Sequence, residues 1–132
     1  MENSPEFTLA GQQCEAKVID VYDGDTVTLA FVFAGHIFRK RCRVDGVDCA
    51  EIRTNSAEEK GVGLEAKEFV TALLLNKIIW VEFSTEGDKY GRLLGKIYTK
   101  KGGVSLASML ISHGYGYEYH GEKKQKFEDW HR

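Results

Sequence analysis

From Val27 to Phe33 the apolar residues Val27, Leu29, Phe31 and Phe33 alternate with Thr28, Ala30 and Val32. A period of two belongs to a strand with one face buried, which rules out a helix here. Ala16 to Tyr22 also has strand character and leads into this segment through Asp23-Gly24, while Ala34-Gly35 turns the chain into a third strand that runs to about Val44. The chain is thus committed early to a β-meander with a single apolar face. Asp25 falls in phase with Val27 and Leu29, so the pleat carries its carboxylate to the core side at the start of the strand, where a barrel would have its mouth.

Further along, Gly46 permits a bulge or sharp bend just before Asp48, and the charged stretch Ile52 to Lys60 reads as a mobile loop. Leu64, Phe69, Val70, Leu73 and Leu74 share a helical face ending near Asn76. Ile78 to Phe83 and Leu93 to Tyr98 are strands on either side of a loop from Glu86 to Arg92. Leu106, Ala107, Leu110 and Ile111 mark a short second helix with Gly114 as its stop, and a last helical piece is expected over Glu122 to Trp130. Five strands with two or three helices predict an α+β fold, a small Greek-key barrel of the OB type with helices packed outside. Residues 1–13 are read as a weakly ordered lead-in and 14–132 as one domain.

The 132 residues carry a net charge of -2, too little positive charge for a passive binder of nucleic acid. Positive charge is local: Arg39, Lys40, Arg41 and Arg43 on one segment, Lys123, Lys124 and Lys126 on another, each either a solvated face or a stripe that follows a phosphate backbone. Cys14, Cys42 and Cys49 form neither a CxxC pair nor an even set, so they read as three thiols. Met1 to Gln13 lacks the basic start and apolar run of a signal peptide, and no apolar stretch reaches the roughly 18 residues that span a membrane.

The chemistry lies in three segments: Val21-Tyr22-Asp23-Gly24-Asp25-Thr26-Val27, Arg43 to Glu51, and Asp88-Lys89-Tyr90-Gly91-Arg92. Carboxylates such as Asp25, Asp48 and Glu51 repel one another when brought together unless a hard cation holds them. Arg43 and Arg92 present planar forks of donors that fit phosphate oxygens and keep their charge. Phosphodiester cleavage needs such donors, together with a water held in line with phosphorus.

In order and spacing these segments resemble the staphylococcal nuclease (thermonuclease) family, over roughly Ala16 to Trp130. The resemblance implies Asp25, Asp48 and the main-chain carbonyl of Cys49 as metal ligands, with Ca²⁺ favoured over Mg²⁺. It gives Arg43 and Arg92 the reacting phosphate, and Glu51 the activation or orientation of the attacking water. Lys89 and Tyr90 match contacts to a terminal phosphate, and Tyr117 and Tyr119 match tyrosines that meet the nucleotide. The implied protein is a monomeric nuclease that cuts the P–O5′ bond of DNA and RNA with little base preference, favouring single strands. It is expected to be secreted or envelope-associated, with a cytoplasmic place left open. The alternative is a non-catalytic binding module of the same fold. The family's proline after the second Asp is replaced by Ala50, which predicts a less pre-organised metal loop.

Overall fold

The computed structural model describes residues 9–85 and 91–131. Its barrel is built from β1 (Gln13–Asp23), β2 (Thr26–Phe33), β3 (His36–Val44), β5 (Ile78–Thr85) and β6 (Leu93–Tyr98), closed in the order β1-β2-β3-β6-β5. β3 and β6 run parallel, Cys42 to Val44 beside Leu93 to Gly95, and every other barrel pair is antiparallel. This is the five-stranded OB-type barrel with helices that the sequence predicts. Alternation sets its core: Val18, Val27, Leu29, Cys42, Val44, Val81, Phe83 and Ile97 are almost wholly buried. β1 begins at Gln13, and the backbone before it is bonded to the barrel through Gly11 N–H to Phe83 O at 2.7 Å.

Two further strands, absent from the sequence-based expectation, lie outside the barrel. β4 (Gly46–Cys49) pairs antiparallel with β7 (Gly116–Tyr119), setting Asp48 opposite Tyr117. Gly46, at φ +98, makes the bend that takes the chain out of β3 and into β4. Gly116 lets the pair close: a Cβ there would stand 2.6 Å from the Asp48 carbonyl oxygen.

Helix α1 (Ala57–Leu74) begins seven residues before the expected apolar face, so much of the predicted loop is helical. Ser56 caps it by accepting from Glu59 N–H, and the acidic residues Glu58 and Glu59 sit in its first turn, where the helix dipole favours them. Of the expected face, Val70 and Leu74 are buried and Phe69 and Leu73 pack half-buried against the core, while Leu64 is exposed. Gly63 and Ala66 also turn inward, because small residues are needed where α1 meets the β1–β2 turn. A Cβ on Gly24 would approach the Ala66 Cβ to 2.8 Å. Asn76, in the left-handed region at φ +65, stops the helix as expected.

α2 (Leu106–Ser112) buries Leu106, Ala107 and Leu110, and Gly114 follows at φ +77. α3 is only Phe127–Trp130, shorter than predicted, because the run from Glu122 to Lys126 has no apolar side to bury. Among the described residues no helix is long and apolar enough to cross a membrane.

Candidate active site

One cleft of about 130 Å³ at the barrel mouth collects residues from four stretches of chain: Asp23 and Asp25 from the β1–β2 turn, Arg43 from β3, Asp48 to Arg53 from β4 and beyond, and Arg92 from the start of β6. Lys124 closes it from the segment before α3. A two-residue turn, Gly24-Asp25, points the Asp25 side chain inward in phase with Val27 and Leu29, as the pleat predicts. Its Oδ2 accepts the Cys49 N–H at 2.9 Å, tying the turn to β4.

Arg43 stands between the two buried aspartates, its Nη2 3.0 Å from Asp48 Oδ1 and 3.8 Å from Asp25 Oδ2. One guanidinium shared by two carboxylates leaves the pair short of positive charge. Burial, with the neighbouring Asp23 carboxylate, raises Asp25 to about 7, against the pull of Arg43 and the Cys49 N–H. Asp48 is better supplied. It accepts from the Tyr117 hydroxyl at 2.8 Å and has Lys124 Nζ 3.6 Å from Oδ1.

Glu51 lines the cleft from its open rim. Partial loss of hydration raises its carboxyl's pKa, Lys124 draws it down, and Asp25, Asp48 and Glu59 add to the rise. Its position is fixed from α1: Glu59 accepts from the Glu51 N–H at 3.3 Å and from the Thr54 hydroxyl at 3.0 Å. Asp25, Asp48 and Glu51 come together in this one cleft. Among the described residues no three metal-ligating side chains are grouped closely enough to hold an ion, and Arg43 stands between the aspartates.

The oxygens at hand are nevertheless of the kind a hard cation takes, carboxylates and main-chain carbonyls. The Cys49 thiol is not among them, since burial lifts its pKa well above the ordinary thiol value and keeps it protonated. Ala50, where the family has proline, donates its N–H to Tyr115 O at 3.1 Å, a bond proline cannot make. α1 presses on the same loop, where a Cβ on Gly63 would lie 2.9 Å from Ala50 O. These contacts hold the loop in the place of a fixed φ.

Tyr117 and Tyr119 part company. The Tyr117 ring is buried, its hydroxyl donates to Asp48 and accepts the Gln125 N–H at 2.9 Å, and burial raises its pKa to about 12, so it remains a donor. That geometry makes it a positioning residue for Asp48. Tyr119 is half-buried beside the cleft, with Arg43 Cζ 5.4 Å and Lys124 Nζ 6.0 Å from its ring centre. Lys89 and Tyr90 lie outside the described residues. The sequence reading left Asp23, Arg53 and Lys124 out of the site. Lys124 sits in the basic cluster already noted, and Arg53 pairs with Asp23 at 3.5 Å.

Tyr117→Phe is expected to destabilise the protein by about 1–3 kcal/mol, since it strips Asp48 and the Gln125 N–H of a buried partner. Urea unfolding measures this. A variant with the parent's midpoint would mean that Tyr117 only packs.

The sequence profile of the family described as Staphylococcal nuclease homologue matches residues 41–131. The chain belongs to that family. The match begins inside β3, so the place of Asp25 rests on the geometry above. Endonuclease YhcR of Bacillus subtilis (strain 168) is 32% identical over 124 residues, covering 90% of this chain and 10% of that protein. The chain therefore spans about a tenth of the length of this relative.

Proposed function

We propose that the chain is a metal-dependent phosphodiesterase that hydrolyses DNA and RNA, single strands preferentially, with little base specificity and with Ca²⁺ as its cation. The observation that carries this reading is the Arg43 guanidinium set between buried Asp25 and Asp48, with Glu51 and Arg92 in the same cleft. Membership of the staphylococcal nuclease homologue family supports it, as does similarity to a protein named an endonuclease.

In this mechanism Asp25, Asp48 and the Cys49 carbonyl would hold the cation. When bound, the cation supplies counter-charge to the phosphate and to the aspartates. Arg43, held by Asp48 through one nitrogen, offers its remaining donors to a non-bridging oxygen, and Arg92 approaches from β6. Glu51 orients the attacking water or takes its proton. Water oxygen bonds to phosphorus as its proton passes to Glu51 or to solvent, the P–O5′ bond breaks with the departing O5′ taking a proton from solvent, and the products are a 3′-phosphate and a 5′-hydroxyl. Charged side chains around the cleft address phosphate, cation and water, which fits low base specificity. A binding module of this fold has no use for three arginines and four carboxylates in one cleft.

The test is incubation of the purified chain with single-stranded DNA and with RNA, in Ca²⁺, in Mg²⁺ and in excess chelator. Fragments ending in 3′-phosphate are expected in Ca²⁺ and none in chelator. Binding without fragments in any metal would leave the module reading standing.

A further inference from the structure

Beside the cleft, two guanidinium groups lie over one aromatic ring. Arg41 Cζ is 4.2 Å and Arg53 Cζ 4.6 Å from the centre of the Tyr22 ring. Tyr22 and Arg53 line the cleft itself, next to Asp23, Asp25 and Arg43. Arg41 comes from β3, two residues before Arg43 and so on the same face, about 6.6 Å along the strand. Arg53 has Asp23 at 3.5 Å, whereas among the described residues no carboxylate pairs with Arg41. Both arginines are exposed.

We propose that Arg41, Tyr22 and Arg53 form a second nucleotide subsite, which binds the phosphodiester adjacent to the one being cut on a single-stranded substrate. The proposal rests on the nucleic-acid substrate inferred above. Two like charges drawn to one ring repel each other, and a single carboxylate leaves the group with surplus positive charge. An anion accepted by these forks relieves that repulsion. The ring's part is to hold both forks still before the anion arrives, which lowers the ordering needed on binding. The anion that a strand engaged at Arg43 brings to this spot is its neighbouring phosphodiester. The Tyr119 ring lies beside Arg43 and Lys124, so the strand meets basic and aromatic supports at the scissile phosphate as well as at this group.

The test compares the parent with Arg41→Gln and with Arg41→Gln/Arg53→Gln on two substrates: a short single-stranded oligonucleotide, and a single nucleotide whose one phosphodiester carries a nitrophenyl leaving group. Both variants are expected to raise KM for the oligonucleotide, the double variant about tenfold, with Arg41→Gln changing kcat little and leaving the one-nucleotide substrate unaffected. The slope of log(kcat/KM) against log[salt] should lose about 0.7 for each phosphate contact removed. Lys17→Gln/Lys96→Gln, which removes two charges from the barrel elsewhere, should keep the parent's values. Binding of an uncleavable phosphorothioate oligonucleotide, followed by fluorescence anisotropy, runs in parallel. Parental KM, affinity and salt slope in the double variant would overturn the subsite, as would equal losses by Arg41→Gln on both substrates. A parent that binds the phosphorothioate but cuts nothing would refute the nuclease reading, while weaker binding by the double variant would still uphold the subsite. A parent that neither binds nor cuts would overturn both.

Discussion

Arg43→Lys is expected to lower turnover of single-stranded DNA by about a hundredfold to a thousandfold, the usual loss when one pre-set donor to a transition-state oxyanion goes. Lysine keeps the charge that Asp25 and Asp48 share, so folding should be nearly unaffected. What disappears is the fork. In the parent one nitrogen of Arg43 is held by Asp48 at 3.0 Å, fixing the plane in which the other donors meet the phosphate. An ammonium can sit near Asp48 or near the phosphate, and it has no rigid second edge with which to reach both. Arg92→Lys should fall comparably if, as proposed, Arg92 serves the same phosphate from the cleft wall just before β6. Turnover and urea midpoints of the two variants decide the matter. Near-parental cleavage by both would sink the phosphate-clamp assignment, and low turnover with a collapsed midpoint would mean that the arginine mainly holds the fold.

The parts of this site that were legible in the sequence are those governed by short-range rules. Asp25 could be placed because a strand's period of two fixes its side relative to Val27 and Leu29, only two and four residues away. Ala34-Gly35 was readable as a tight turn, and both residues indeed have positive φ. Gly46 announced the bend before Asp48. The parts that were not legible depend on chain segments meeting across the fold. Nothing local to Tyr117 says that its hydroxyl will reach Asp48, 69 residues earlier. Strands β4 and β7 are four residues each, too short for periodicity to declare. Arg53 pairs with Asp23, since the loop after β4 folds back toward the β1–β2 turn. The start of α1 was readable in principle: Ser56 followed by Glu59 is a capping box, hidden by a charged first turn with no apolar residue to mark a face.

The second large effect concerns Asp25 and pH. In the metal-free protein its carboxyl titrates near 7, whereas in the unfolded chain it titrates near the ordinary 3.8. Between those values the folded state holds a proton that the unfolded state has released, so stability falls as pH rises through this window. Below about pH 4 both states are protonated and the loss vanishes; above about pH 7 it is complete, on the order of 4 kcal/mol. Asp25→Asn should remove the loss. Its amide oxygen can take over the bond from Cys49 N–H, and its NH₂ can donate to Asp23, which already favours a proton on Asp25. The variant is therefore expected to be more stable than the metal-free parent at pH 8, to match it near pH 4, and to be catalytically dead. In the proposed nuclease the same carboxylate is a cation ligand, so Ca²⁺ at a hundredfold excess over Kd should stabilise the parent by about 2.7 kcal/mol and the variant hardly at all. A nucleotide with two phosphates should bind the parent more tightly when Ca²⁺ is present, the cation and arginines sharing its charge. Urea unfolding from pH 4 to 8, with and without Ca²⁺, reads both effects from one series. A parent whose metal-free stability is flat across that range would mean that Asp25 is charged and satisfied as it stands, and an Asp25→Asn protein that gains the parent's margin from Ca²⁺ would place the cation elsewhere.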